Sequence, residues 1–158
     1  MDRSGVMRVC VIQTVAALFL IVASTIMPWA THKNLVTGAT TAFRGGQLGL
    51  VLVALGVAAI AATPRLLTRV SPTRFGLPLV LGSLAVAVSV VLALSKIRAA
   101  NEVTQRGPSA TSYAFGAGVA ILAAGAIALS GLVGLAAANG SGGALEIRPD
   151  GTVRSPGR

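Results

Sequence analysis

The stretch YAFGAGVAILAAGAIALSGLVGLAAA, from Tyr113 to Ala138, decides the fold of this chain. It contains no Asp, Glu, Lys, Arg or His. An α-helix needs about 20 residues, at about 1.5 Å each, to cross the hydrocarbon core of a bilayer. The stretch therefore predicts one complete transmembrane helix.

Three earlier stretches also contain none of these five residue types: about Val9 to Met27, Leu48 to Thr63 and Gly76 to Ser95. The second is the shortest, and Pro64 follows it, which suits a helix boundary or the first turn of a following helix. The alternative, a segment that only dips into the membrane, would leave backbone polar groups facing lipid. Together the four stretches predict an all-α membrane protein, a four-transmembrane-helix antiparallel bundle in residues 1–138.

The composition agrees with a chain dissolved in lipid. Hydrophobic residues make up 54% of it and charged residues 11%, whereas an ordinary soluble domain is about 25% charged. The 13 Lys and Arg exceed the 4 Asp and Glu, for a net charge of +9. These cations lie in twos and threes between the apolar stretches, not on one segment interleaved with aromatics. That distribution predicts contact with membrane lipids and argues against nucleic-acid binding.

The first apolar stretch has two interpretations. Arg3 and Arg8 precede it, as in the basic start of a secretory signal peptide. However, the stretch is longer than the roughly 7–15 apolar residues of such peptides, and no convincing A-x-A cleavage site precedes Pro28. We therefore expect a retained membrane anchor.

The distribution of Lys and Arg predicts the orientation, because these residues are enriched in cytoplasmic loops. The densest cluster of arginines lies in the short loop between the second and third stretches. If the N-terminus is in the cytoplasm, this loop is in the cytoplasm too. We therefore expect a multi-pass protein of the bacterial plasma membrane with both termini in the cytoplasm. The inner cations are then Arg3, Arg8, Arg65, Arg69, Arg74, Arg148, Arg154 and Arg158, and the outer ones Lys33, Arg44, Lys96, Arg98 and Arg106.

Two segments outside the spans carry hairpin patterns. Residues 34–43, in the first outer loop, are rich in β-branched residues around Gly38, which permits a short hairpin lying on the bundle. In the predicted flexible cytoplasmic tail, residues 139–158, short alternating segments flank Pro149-Asp150-Gly151, a good turn sequence. Such a hairpin is marginal alone and would need a partner or the bundle.

Aromatic and basic side chains at the ends of the spans predict anchors at the membrane interface. Trp29, directly after Pro28, is the single tryptophan, and Phe43 matches it on the return side of the loop. The expected anchors are Trp29, Phe43, Tyr113, Arg65, Arg69 and Arg74.

Small residues dominate the fourth stretch, and in lipid such residues let helices pack closely. One stripe recurs every four residues and a second occupies another face. The stripes either form an oligomerisation surface or seat the helices within one bundle, and the spacing is weakly specific. The first stripe is Gly116, Ala120, Ala124 and Ala128; the second is Gly118, Ala126, Ser130 and Gly134.

Gln13 and Thr14 are the most polar pair inside any span. Gln13 can hydrogen-bond to another helix and hold the two together. A substrate-binding role is the alternative, but Gln13 lies only about a turn from Arg8, which favours a contact near the interface.

The chain lacks the residues on which known active sites of four-helix membrane proteins depend. Haem and metal sites need several His or carboxylate ligands on facing helices, whereas His32 is the single histidine and lies between spans. Quinone-linked disulfide chemistry needs paired cysteines, and Cys10 stands alone. Proton-coupled transport commonly uses a carboxylate or histidine within the membrane, and none of the four apolar stretches contains one. The sequence predicts no enzyme, no cofactor and no metal.

A first span that ends in Met27-Pro28-Trp29, followed by a loop with Gly38 and Phe43-Arg44-Gly45-Gly46, is similar to small four-pass membrane proteins of actinobacteria. These include the tryptophan-associated membrane proteins. The resemblance covers roughly the first half of the chain and implies a location in the cell envelope.

Two functions remain open from the sequence. The first is a non-enzymatic accessory or scaffold subunit that binds another membrane protein or a second copy of itself. The second is a small pore or carrier, including holin-like or phage-exclusion membrane proteins. A pore needs a polar lumen, and the candidates to line one are Gln13, Thr14, Ser24, Thr25, Ser83, Ser89 and Ser130.

Overall fold

The structure is a computed structural model that describes residues 3–68, 72–104, 109–140, 146–147 and 153–154. Four long helices dominate it. They are α1 (Arg3–Thr25), α2 (Gly46–Thr68), α3 (Pro72–Thr104) and α4 (Phe115–Gly140). Uncharged apolar segments form helices in lipid because only a helix satisfies every backbone hydrogen bond within the segment.

Each helix contains a segment long and apolar enough to cross a membrane. These segments are Gly5–Thr25, Gly46–Leu66, Phe75–Glu102 and Phe115–Ala137. The chain is a multi-pass integral membrane protein with four candidate spans.

The helices pack as a closed ring. Helix α1 contacts α2 and α4, and α3 contacts the same two helices. The largest fully buried side chains of the centre include Leu20, Leu52, Leu92 and Ile127, one from each helix. Alanines fill the remaining space, among them Ala17, Ala59, Ala85, Ala120 and Ala124.

The seam between α3 and α4 is closed by two glycines that bring the backbones together. A Cβ at Gly82 would collide with the main chain of Ala128, and one at Gly131 would collide with the main chain of Leu79. Close backbone approach increases van der Waals contact, which is the main attraction between helices in lipid. This seam has the most extensive contacts between any two helices of the described chain.

The helix of the second span runs beyond the apolar stretch that ends near Thr63. Helix α2 continues through Pro64 to Thr68. Proline removes one backbone hydrogen bond, but Leu66 beyond it is fully buried in a cluster with Cys10, Phe75 and others at that end of the bundle. Packing of this side chain holds the last turn in helical form.

The other spans differ from the helices mainly at their ends. Helix α1 begins at Arg3 and ends at Thr25, shortly before Pro28. Helix α3 includes Pro78 and runs to Thr104, so it extends well past the predicted boundary at Ser95. Helix α4 begins at Phe115, because Tyr113 belongs to a strand.

The hairpin predicted in the first loop is confirmed, and it belongs to a larger sheet. Strands β1 (Ala30–Asn34), β2 (Thr40–Phe43) and β3 (Ser109–Tyr113) form an antiparallel sheet in the order β2-β1-β3. In its turn the Asn34 side-chain oxygen accepts the N–H groups of Val36 and Thr37, at 2.9 and 3.1 Å. Gly38 has φ +71°, a left-handed conformation that glycine adopts without strain.

The sheet covers one end of the bundle, called the sheet end below. Strands β1 and β3 pack on α3. His32 of β1 is opposite Thr111 of β3. Because β3 comes from the loop between α3 and α4, the sheet links two loops that are distant in sequence.

The tail hairpin is also confirmed where the structure describes it. Strand β4 (Glu146–Ile147) pairs antiparallel with β5 (Val153–Arg154), with Glu146 opposite Arg154. The Pro149-Asp150-Gly151 turn lies outside the described residues. Helix α4 runs through Gly140, so the first two residues of the predicted flexible tail are helical.

Candidate functional site

A small polar cluster lies between α1 and α2, in the half of the bundle opposite the sheet. Gln13 is fully buried. Its side-chain Nε2 donates to the carbonyl oxygen of Ala59 at 2.7 Å and to the Thr63 hydroxyl oxygen at 3.4 Å. The Thr63 hydroxyl itself donates to the Ala59 carbonyl at 3.2 Å. Gln13 therefore links two helices just before Pro64.

The other half of the Gln13 amide is unpaired. Among the described residues, no hydrogen-bond donor reaches its buried Oε1 atom. Thr14 does not join the cluster, because its hydroxyl donates to the carbonyl of Cys10 on its own helix at 2.9 Å. Of the polar pair singled out in the sequence, Gln13 contacts another helix and Thr14 contacts its own.

Substitution of Gln13 with leucine tests how much its hydrogen bonds contribute to the free energy of unfolding. We expect Gln13→Leu to change the free energy of unfolding by less than about 1 kcal/mol. Hydrogen bonds between transmembrane helices average about 0.6 kcal/mol, and the substitution also removes an unpaired buried oxygen. Detergent-induced unfolding in mixed micelles measures the change, with Leu20→Ala as a control expected to cost about 2–5 kcal/mol. A loss as large as that of the control would show that Gln13 contributes more than this contact.

The small residues of α4 mostly face its neighbours in the bundle. Ala120 and Ala124 are fully buried, and Ala128 lies against Gly82. A Cβ at Gly116 would lie 2.5 Å from the carbonyl oxygen of Pro28. The first stripe therefore seats α4 within one bundle.

The second stripe is divided between the interior and the outer surface. Gly134 lies against the ring of Phe75. The buried Ser130 hydroxyl donates to the Ile127 carbonyl at 2.7 Å. Gly118 is exposed, and no described atom lies within 4 Å of the position of a Cβ there.

Trp29, which the sequence suggests as an anchor at the membrane interface, is enclosed by protein where the first span meets the sheet. It is 0% exposed, and its indole N–H donates to the carbonyl oxygen of Ala23 at 3.0 Å. Its backbone N–H donates to Phe43 at 2.7 Å, and its carbonyl accepts from Ala114 at 3.1 Å. A buried tryptophan needs a partner for its indole N–H, and the end of α1 supplies it. Trp29 thereby connects α1, β2 and the approach to α4.

The other expected anchors lie in different environments. Tyr113 is 58% exposed at the sheet end, and Phe43 is half-buried. Arg65 is exposed at the opposite end of α2. The side chains of Arg69 and Arg74 lie outside the described part of the structure.

The sequence did not predict that His32 is buried. It is 6% exposed on the inner face of β1, and its Nδ1 lies 3.5 Å from the Thr111 hydroxyl. Alternation of buried and exposed residues along β1 was the available signal, but the strand is too short to display it clearly. Within the described residues, no group of three or more His, Cys, Asp and Glu side chains is placed to hold a metal ion.

The chain matches no protein-family model, no curated protein and no solved structure. The similarity to actinobacterial four-pass proteins therefore stays a prediction. Any proposal about function must therefore be argued from the structure of this chain.

Two adjacent apolar side chains at the tip of the β1–β2 hairpin are exposed, and the structure describes few others as exposed outside the spans. Leu35 is 59% exposed and Val36 is 74% exposed. The exposed cation Lys33 lies on the same hairpin, and the exposed Arg44 follows the end of β2. Strands β2 and β3 are the outer strands of the sheet, and an outer strand offers backbone hydrogen-bonding groups to a partner.

Proposed function

We propose that this protein is a non-enzymatic accessory or scaffold subunit of a membrane assembly in the bacterial cell envelope. The four-helix bundle holds it in the membrane, and the hairpin tip contacts the partner, which is another membrane protein or a second copy. The excess of Lys and Arg in the segments at the opposite end favours a cytoplasmic location for that end. The sheet then lies on the outer side.

The exposed pair Leu35 and Val36 is the observation that carries this proposal. Single exposed apolar residues are ordinary on protein surfaces. Here two adjacent ones occupy the tip of a turn whose backbone is held by the Asn34 side chain. A fixed apolar tip loses little conformational entropy on binding, which favours a protein contact.

The connection from the tip to the bundle also supports a docking role. Trp29 is hydrogen-bonded to α1 and to the residues before α4, and β1 continues directly from it to the hairpin. A partner bound at the tip would therefore be held in a defined orientation to the spans. Lys33, an exposed cation two residues before Leu35, favours a partner with acidic groups.

Photocrosslinking in native membranes tests the proposal. A photoreactive amino acid at position 36 should give one discrete protein adduct, identified by mass spectrometry. The same amino acid at position 129 is the matched control, because Leu129 is 60% exposed on a membrane span and is expected to label lipid. Leu35→Ser should reduce the adduct formed from position 36 without changing the amount of protein in the membrane.

The proposal fails if position 36 gives only lipid adducts and native mass spectrometry shows a strict monomer. An adduct that persists unchanged in Leu35→Ser would contradict a contribution of the Leu35 side chain to the contact. Both results can be read from the same membrane preparation.

A second candidate function, a small pore or carrier, rests on two buried polar atoms. Gln13 Oε1 and Ser89 Oγ are buried and have no hydrogen-bond partner among the described residues, and a water-filled lumen would supply one. The hydroxyls of Thr14, Ser24, Thr25 and Ser130 donate instead to carbonyls of their own helices. Flux from liposomes containing the purified protein tests this function, and a rate equal to that of empty vesicles would exclude it.

A further inference from the structure

A hollow opens between α3 and α4 just inside the sheet end. It has a volume of about 330 Å³, and its walls are almost entirely apolar. Val90 and Leu94 of α3 form one wall, and Gly118 and Ile121 of α4 form the other. Because Gly118 has no side chain and no described atom fills its place, the floor of the hollow is a bare stretch of helix backbone. Tyr113, at the end of β3, also lines the hollow.

A second hollow, of about 340 Å³, adjoins the first along α3. Leu94 lines both hollows. From there the second hollow continues past Ser95 to the exposed side chains of Arg98 and Glu102. The pair of hollows thus changes from apolar to charged along the direction of the helix axis.

We propose that these two adjoining hollows form a binding site for one anionic phospholipid. An acyl chain occupies the apolar hollow over Gly118, and the headgroup phosphate binds the guanidinium of Arg98. Tyr113 contacts the glycerol region, where amphipathic aromatic side chains are favoured.

The arrangement of charge favours a lipid over an apolar protein segment. Arg98 lies one helical turn beyond Leu94, so its guanidinium is placed where a lipid with its tail beside Leu94 carries its phosphate. Arginine binds phosphate oxygens through paired N–H donors. Glu102 lies one further turn away from the apolar hollow, so Arg98 is the first charge that a headgroup meets.

Binding of lipid to the purified full-length protein tests the site. In native mass spectrometry from detergent, dioleoyl phosphatidylglycerol should bind more tightly than dioleoyl phosphatidylcholine. Arg98→Gln should weaken phosphatidylglycerol binding about fivefold, because one basic residue near a membrane surface contributes about that factor. Lys33→Gln is the matched control, since Lys33 is an exposed cation of the sheet that lines neither hollow, and it should leave binding unchanged.

The apolar half of the site has its own substitution. Gly118→Leu fills the hollow and should weaken binding of both lipids about equally. Gly125→Leu is its control, because Gly125 also has no described atom within 4 Å of a Cβ and lines neither hollow. Equal affinity for the two lipids, or equal effects of Arg98→Gln and Lys33→Gln, would overturn the proposal. A Gly118→Leu variant that binds phosphatidylglycerol as the unchanged protein does would also overturn it.

Discussion

Gly82→Leu is expected to lower the free energy of unfolding by about 3 kcal/mol or more, at the upper end of the effects of overpacking. A side chain at this position meets the backbone nitrogen and Cα of Ala128. A backbone cannot move aside as a flexible side chain does, so α3 and α4 must separate. Separation forfeits close contacts along the whole seam, and in lipid no hydrophobic effect compensates for that loss.

Detergent-induced unfolding in mixed micelles, followed by circular dichroism, measures this effect. Gly125→Leu is the control, because it adds the same atoms to the same kind of helix at a position with open space. We expect the control to change the free energy of unfolding by no more than about 0.5 kcal/mol, as for an ordinary surface substitution. Equal stability of the two variants would show that the α3–α4 seam is not closed at Gly82.

Trp29→Ala is expected to lower the free energy of unfolding by about 3–5 kcal/mol, the usual cost of removing a buried tryptophan side chain. The substitution leaves a cavity at the sheet end and leaves the Ala23 carbonyl without its indole donor. Because the backbone of Trp29 is also bonded to β2 and to Ala114, the sheet should loosen together with the end of α1.

Hydrogen exchange of the strands separates this effect from general destabilisation. In Trp29→Ala the amides of β1 and β3 should exchange faster, while those at the centre of α4 keep their protection. Tyr113→Ala is the control, since Tyr113 is 58% exposed at the same end and should leave the sheet protected. Unchanged exchange in β1 would contradict the structural role given to Trp29.

The four spans could be predicted because their signal is local. Each stretch lacks charges over nearly the length that a bilayer requires, so no knowledge of distant contacts was needed. The end of α2 could not be predicted in the same way. Pro64 is a local signal for a boundary, but burial of Leu66 beside Phe75 of another helix outweighs it.

The sheet was only half predictable for a related reason. Residues around Gly38 carry a hairpin pattern, but β3 pairs with β1 through residues distant in sequence, such as Ser112 opposite Thr31. No local pattern in Ser109–Tyr113 identifies β1 as the strand with which it pairs. Trp29 illustrates the same limit: a tryptophan after a span suits the interface equally well, and only the geometry at the end of α1 shows that it is buried.

The candidate surfaces depended most on the structure. The sequence identified small residues on α4 without showing which of them face a neighbour. Gly116 and Gly118 are separated by a single residue, yet the first touches the Pro28 carbonyl and the second borders an open hollow. Which side of a helix is covered follows from the positions of the other helices, and sequence spacing alone does not give it.

Cysteine accessibility in sealed membrane vesicles tests the arrangement of the four spans most directly. In a Cys10→Ser background, single cysteines would replace Arg8, Thr37, Arg65, Ala110 and Glu146 in turn. A membrane-impermeant maleimide should label positions 37 and 110 from one side and positions 8, 65 and 146 from the other. Labelling of positions 37 and 65 from the same side, or a protein that stays monodisperse in water without detergent, would contradict four crossings.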